Sequence, residues 1–260
     1  MAALLNATKL VDCSHLMDEN TFTFMGAPLQ TEILEFDLAA PAGFAKAKFN
    51  LGCDVGAHID TPGHFFPNER TVGDITLEEL TARGAVIDVT DKVAATEDGN
   101  YGLTVDDITN WESKYGEIPA GSLVVMKTGW DANIGTPKYV GQDEAGAYHF
   151  PGFSVEAAQW LIDNRDFAGL AVDSASADVG TSTDYMVHQI VLGADKYNLE
   201  NLVLGEVPEG TDSLFIALPM KVKDAPETPV RVMAVVGMSF SGAAVFTAAC
   251  ASMVATMLAF

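Results

Sequence analysis

The stretch "CDVGAHIDTPGHFFPNER", residues 53–70, carries Asp54, His58, Asp60 and His64, interleaved with Gly56, Pro62 and Gly63. The chain holds only five histidines, and two of them stand here beside two aspartates. The even spacing fits the end of a strand, because side chains at i, i+2 and i+4 share one face. Gly56 permits a close turn or bulge, and Pro62 with Gly63 turns the chain back. A strand that bends so sharply can aim all four side chains at one point. Imidazole with carboxylate suits Zn, Mn or Fe, the carboxylates pulling towards harder ions. A polar surface turn is the bland alternative. Four ligand-type residues so close together, with turn residues between them, point instead to a metal site.

Outward from this segment, short runs rich in Val, Ile and Leu are bounded by Gly, Pro or Asp and read as strands. They are "TKLVDCSH" (8–15), "AKFNLGCDV" (47–55), "GAVIDVT" (84–90), "SLVVMKTGW" (122–130), "FAGLAVDSAS" (167–176), "NLVLGEV" (201–207), "SLFIALPMKV" (213–222) and "VRVMAVV" (230–236). Helical patterns are fewer. "TLEELTAR" (76–83) reads as a short helix. "TVDDITNWESKYG" (104–116) begins at a Thr104 cap with Asp107 three residues on. "SVEAAQWLIDNR" (154–165) begins at a Ser154 cap and sets Ala157, Trp160 and Leu161 on one stripe. Residues 139–152, "YVGQDEAGAYHFPG", read as an acidic surface loop. Strands interrupted by a few helices imply an α/β or α+β domain with a mixed sheet. No internal repeat and no Pro-, Gly- or Ser-rich linker divides the chain, so residues 1–236 read as one domain and 237–260 as a C-terminal helical extension.

The 260 residues suffice to bury a substantial core. A net charge of −22 repels phosphate backbones and anionic membrane surfaces, which argues against nucleic acid as a partner. Cys13, Cys53 and Cys250 are odd in number and far apart, so a reducing, cytoplasmic compartment is expected. The N-terminus shows no basic segment leading into a long apolar one, hence no secretory signal. From Val232 to Phe260 no residue is charged. That tail is long enough to cross a bilayer. Its large residues, Phe246, Cys250, Met253, Val254, Met257 and Leu258, nonetheless form one stripe among small ones. Docking on the protein is the expected reading, with a membrane anchor as the alternative.

The histidine segment resembles the signature of the cyclase family of metal-dependent hydrolases, His-x-Gly-Thr-His-x-Asp-x-Pro-x-His. Members include bacterial-type kynurenine formamidase, isatin hydrolase and a lactone hydrolase. Gly56, His58, Asp60, Pro62 and His64 match in register, whereas Asp54 stands in place of the first histidine and Ala57 in place of the threonine. "LVDCSH", "LVVMKTGW", "FPGFSVEAAQWL", "AVDSASAD", "VHQIVLGADKYNLENLVLGEVPEG", "LFIALPMKV" and "PVRVMAVV" resemble further family segments, covering the chain as far as Val236.

The resemblance implies a swivelling β/β/α fold, usually assembled as dimers or tetramers. It implies His58, Asp60 and His64 as metal ligands, with Asp54 in a ligand slot. It adds His188 and Glu200 from the second half of the chain, and Asp60 bridging where two ions are bound. On their own, His188 would read as a core histidine on a helix and Glu200 as a helix-end carboxylate. Asp173, Ser176 and Asp178 either orient ligands and relay protons or cap the turn after a buried strand. Phe22, Phe24, Phe65 and Phe66 line an aromatic pocket or belong to the core. His15 reads as a structural hydrogen-bonder, and His149 as a surface or subunit contact.

A divalent ion, Mn or Zn and one or two in number, would lower the pKa of bound water and polarise a carbonyl. The expected reaction is hydrolysis of a C–N bond in an amide, formamide or cyclic imide of a small aromatic substrate. His58, Asp60 and His64 form its catalytic group. His64 acts as general acid/base or binds a second ion. Asp54 adds negative charge, which favours Mn²⁺ over Zn²⁺. The alternatives are a lactone hydrolase and a non-catalytic metal- or ligand-binding member held to a membrane by its tail.

Overall fold

In the computed structural model, residues 9–24, 29–36, 45–238 and 240 are described. The strands are β1 (Lys9–Asp12), β2 (Gln30–Phe36), β3 (Ala45–Asn50), β4 (His58–Asp60), β5 (Thr81–Asp88), β6 (Gly102–Leu103), β7 (Ser122–Lys127), β8 (Gly152–Phe153), β9 (Phe167–Val172), β10 (Tyr197–Glu200), β11 (Ser213–Pro219) and β12 (Glu227–Val236). Eight of them form one sheet in the order β1-β12-β11-β5-β7-β9-β10-β4, and a further β12–β4 pairing closes it into a barrel. β5, β7, β9 and β10 run parallel, while the remaining pairs are antiparallel. β2 and β3 pair with each other as a separate ribbon. This is the swivelling β/β/α architecture, with mixed pairing.

Period-two alternation sorts the apolar side chains into two layers. Val86, Leu123, Val125, Ala171 and Phe215 join Ile59 inside the barrel. Ala85, Ile87, Val124, Met126, Leu170 and Val172 face outward against helices Val105–Tyr115, Val155–Asn164 and Met186–Gly193. The first two helices start where their caps predict. Thr104 Oγ1 accepts from Asp107 N at 3.1 Å, and Asp107 Oδ2 accepts from Thr104 N at 2.8 Å. Ser154 Oγ accepts from Ala157 N at 3.1 Å.

Three readings of local structure differ. Residues 76–83 do not form a helix: a turn leads directly into β5, whose pairing with β11 captures Thr81–Arg83. The strand expected at 201–207 lies earlier, at β10, because Asn201 takes a left-handed conformation (φ 57°) that ends it. Glu200 therefore ends a strand, not a helix. The tail assigned to 237–260 lies outside the described residues except Gly237, Met238 and Phe240. Among the described residues no helix is long and apolar enough to cross a membrane.

Candidate metal centre

Strand β4 is only three residues long, and it is wedged between β10 and β12. Its middle residue, Ile59, enters the barrel core, so His58 and Asp60 face out of the barrel. Register then adds two carboxylates to the same face: Glu200 pairs with His58, and Glu227 pairs with Asp60. Helix Met186–Gly193 packs against this region and brings in His188. The loop after β9 is held close by Gly152. A Cβ there would sit 2.5 Å from the Asp178 carbonyl carbon, and Phe153 N donates to Ala177 O at 2.7 Å.

Hydrogen bonding fixes both buried imidazoles. His58 Nδ1 lies 2.9 Å from Gly56 O, and a carbonyl can only accept, so Nδ1 carries the proton. Gly56 itself has φ +70°, and its face is closed by Met17, whose Sδ would lie 2.8 Å from any Cβ. His188 Nδ1 donates to Asp178 Oδ2 at 2.6 Å. In each neutral ring Nε2 is then a bare lone pair. His58 Nε2 lies 3.6 Å from Asp60 Oδ1 and 3.4 Å from Glu200 Oε2. His188 Nε2 lies 3.4 Å from Asp60 Oδ2 and 3.2 Å from Glu200 Oε1. Asp60 is 1% exposed, and among the described residues neither of its oxygens has a hydrogen-bond partner.

Lone pairs facing carboxylates in a buried site require positive charge between them. Protons can supply it: burial pulls His58 down, yet Asp60 and Glu200 outweigh that and carry it up to about 10. Burial likewise opposes protonation of His188, while Glu200 and Asp178 raise it well above the usual imidazole range. A divalent cation supplies the charge equally well, and this donor set fits one. Among the described residues two groups each bring their ligand atoms within 4.8 Å of one another: His58, Asp60 and Glu227, and Asp60, His188 and Glu200. The centre can hold a divalent ion.

The other residues divide. His64 is partly exposed on the rim, its Nδ1 3.6 Å from Glu227 Oε2. Asp54 lines the same cavity, but its oxygens accept from Thr23 Oγ1 and from Phe24 N. Asp178 orients His188. Asp173 instead caps a turn, accepting from Thr128 N, Thr128 Oγ1 and Gly129 N. Ser176 borders the cavity and accepts from Asp178 N at 3.2 Å. The cavity has a volume of about 560 Å³, and Phe24, Phe65 and Tyr185 give it an aromatic wall. Phe22 packs behind Phe24 with ring centres 4.7 Å apart, and Phe66 lies against Gly193. His15 meets Leu16 O at 3.2 Å, and His149 lies outside the centre between Asn100 and Asp143. Glu227 is the residue that the sequence did not single out. Its only sequence signal is an acid at the start of the last strand, and the pairing opposite Asp60 that gives it meaning is long-range.

A family model, Cyclase, matches residues 11–179. The chain belongs to the cyclase family. The isatin hydrolase of Roseibium aggregatum is 28% identical to it over 251 residues, spanning 90% of this chain and 94% of that protein. The kynurenine formamidase of Polaromonas naphthalenivorans is 25% identical over 232 residues, spanning 89% and 93%. The solved isatin hydrolase A from Labrenzia aggregata, bound to benzyl benzoate, superposes with a TM-score of 0.81 at 28% identity, covering 88% of this chain and 94% of that one. Within the cyclase family this chain resembles the metal-binding hydrolases, in fold and in its convergent His, Asp and Glu side chains.

Proposed function

We propose that this protein hydrolyses a C–N bond, in an amide, formamide or cyclic imide, of a small aromatic substrate. Asp60, His188 and Glu200 hold a divalent ion, with His58 alongside. The observation that carries this reading is Asp60: a buried carboxylate without a hydrogen-bond partner among the described residues, set between two imidazole Nε2 atoms. Carboxylates outnumber imidazoles two to one in both ligand groups, which favours Mn²⁺ over Zn²⁺. A divalent ion held there polarises a carbonyl and acidifies water.

The chain's own residues supply the rest. His64 stands on the rim with access to solvent and carries protons to and from the reacting groups. Ser176 Oγ accepts the Asp178 N–H, which leaves its own O–H to donate to a substrate oxygen. Phe24, Phe65 and Tyr185 hold an aromatic ring, in keeping with the substrate named for isatin hydrolase and the benzyl benzoate bound by a relative.

Metal analysis of the purified protein, followed by assay on N-formylkynurenine, isatin and an aromatic lactone, tests the proposal. Retained divalent metal with turnover of an amide or imide, both lost in His58→Ala, is the expected result. Folded wild-type protein that binds no divalent ion would refute it.

A further inference from the structure

The cavity over the metal centre carries carboxylates beyond Asp60 and Glu200: Asp54 and Glu227 also line it. Asp54 is held in place without being neutralised. Thr23 Oγ1 lies 2.6 and 2.7 Å from its two oxygens, and Phe24 N donates to Oδ2 at 2.6 Å, so both partners are uncharged. Among the described residues Asp54 joins neither group of convergent ligand atoms. Glu227, by contrast, faces an imidazole, with its Oε2 3.6 Å from His64 Nδ1.

The charges around the cavity can then be set against one another. A divalent ion held by Asp60, His188 and Glu200 is matched by its own two carboxylates. A proton on His64 is matched by Glu227. Asp54 is left over, and among the described residues lining the cavity none is a lysine or an arginine. The Cys53 thiol on the same wall feels this field: burial, then Glu227 and Asp54, raise it above its usual value. Phe24 brings the charge to the substrate. Its main chain binds Asp54 and its ring belongs to the aromatic wall, so a ring seated against Phe24 lies beside the Asp54 carboxylate. In a cavity partly closed to water, a carboxylate on that ring meets a like charge, whereas an ammonium meets an opposite one.

We infer that Asp54 sets the charge selectivity of the site, which takes neutral or cationic aromatic amides and rejects those that carry a carboxylate on the ring. The inference deepens the proposed function and rests on it. It gives position 54 a part in choosing the substrate in place of a part in holding the ion.

The test uses three compounds that differ only at the para carbon, away from the reacting bond: formanilide, 4-formamidobenzoate and 4-(aminomethyl)formanilide. With the full-length, Mn²⁺-loaded protein, kcat/KM should be at least about tenfold lower for the carboxylate than for the neutral compound, and no lower for the ammonium compound. Calorimetric titration of the three amine products, which cannot react, should give the same order. Asp54→Asn keeps an acceptor for Phe24 N and removes the charge, and it should cut the carboxylate penalty at least about threefold. Raising NaCl from about 0.01 M to about 1 M should also narrow it, since the screening length falls from about 30 Å to about 3 Å. Equal kcat/KM for the carboxylate and neutral compounds, or a penalty that Asp54→Asn and salt leave untouched, overturns the inference and leaves the proposed function standing. If none of the three compounds is turned over, both fall. Should Asp54→Asn fail to fold, the wild-type order and its salt dependence decide.

Discussion

Asp178 grips His188 at two points: Oδ2 accepts the ring Nδ1–H at 2.6 Å and the main-chain N–H at 3.1 Å. Its other oxygen accepts Val187 N at 3.0 Å, so the same carboxylate caps helix Met186–Gly193 and sets the tautomer of the imidazole that the helix delivers. Asp178→Ala should weaken ion binding about 10- to 100-fold, the range found when a ligand histidine loses its hydrogen-bond partner. Loss of the cap should also cost about 1 kcal/mol of stability in the presence of chelator. Calorimetric titration and thermal melts on one preparation measure both. Unchanged affinity would make Asp178 a cap alone.

Ion binding should appear as stability. A ligand that binds only the folded chain stabilises it by about 2.7 kcal/mol at one hundred times its Kd. For a chain of this length, at about 2–4 °C per kcal/mol, that corresponds to a rise of about 5–10 °C in Tm. Saturating Mn²⁺ should therefore raise the melting temperature of chelator-treated protein. His188→Ala should abolish most of that rise, since it removes one of the three buried members of the Asp60, His188 and Glu200 group. If His188 is instead an ordinary core residue, the variant will melt lower with its Mn²⁺-induced shift intact.

The placing of His58 and Asp60 side by side on one face was legible because its information is local, in their spacing and the turn residues around them, whereas His64 of the same motif lies on the cavity rim and in neither group of convergent side chains among the described residues. The Thr104 and Ser154 caps were legible for the same reason. Bringing His188 and Glu200 to His58 needed the resemblance, because nothing local in "YMVHQIVL" or "NLE" separates a ligand from a buried polar residue. Glu227 was illegible: its place opposite Asp60 depends on a strand pairing across much of the chain. The role of Asp54 was illegible too, because what engages it is Thr23 and the Phe24 main chain. The helix expected at 76–83 failed where sheet pairing with β11 overrode a helical pattern.

Asp107 should govern part of the acid stability. Burial would raise its carboxyl, but Lys92, the Thr104 N–H and the Tyr101 hydroxyl outweigh it and hold it below the usual range. A carboxylate whose folded pKa lies below its unfolded value of about 3.9 stabilises fully above that pH and loses the contribution as pH falls through the folded pKa. Asp107→Asn keeps the shape and removes the charge. It should cost about 1–3 kcal/mol at pH 7, and the gap from wild type should narrow below about pH 4. Denaturant melts at pH 7 and pH 3 measure it. A gap that stays constant with pH would mean the charge contributes nothing.

Phe65 should set selectivity for an aromatic substrate. It lies on the cavity wall with its ring centre 5.2 Å from that of His188, 5.0 Å from that of His64 and 6.2 Å from that of Tyr185. A substrate ring seated there gains aromatic contact worth about 0.5–1.5 kcal/mol beyond area burial. Phe65→Leu keeps the apolar bulk and removes that geometry. The ratio of kcat/KM for an aromatic formamide to that for an aliphatic one should then fall about 3- to 10-fold. Because Phe65 also packs beside two histidines, bound metal must be counted on the same preparation: full metal content with a lower ratio locates the effect in substrate contact. Equal losses on both substrates would instead show that Phe65 acts by holding His64 or His188 in place.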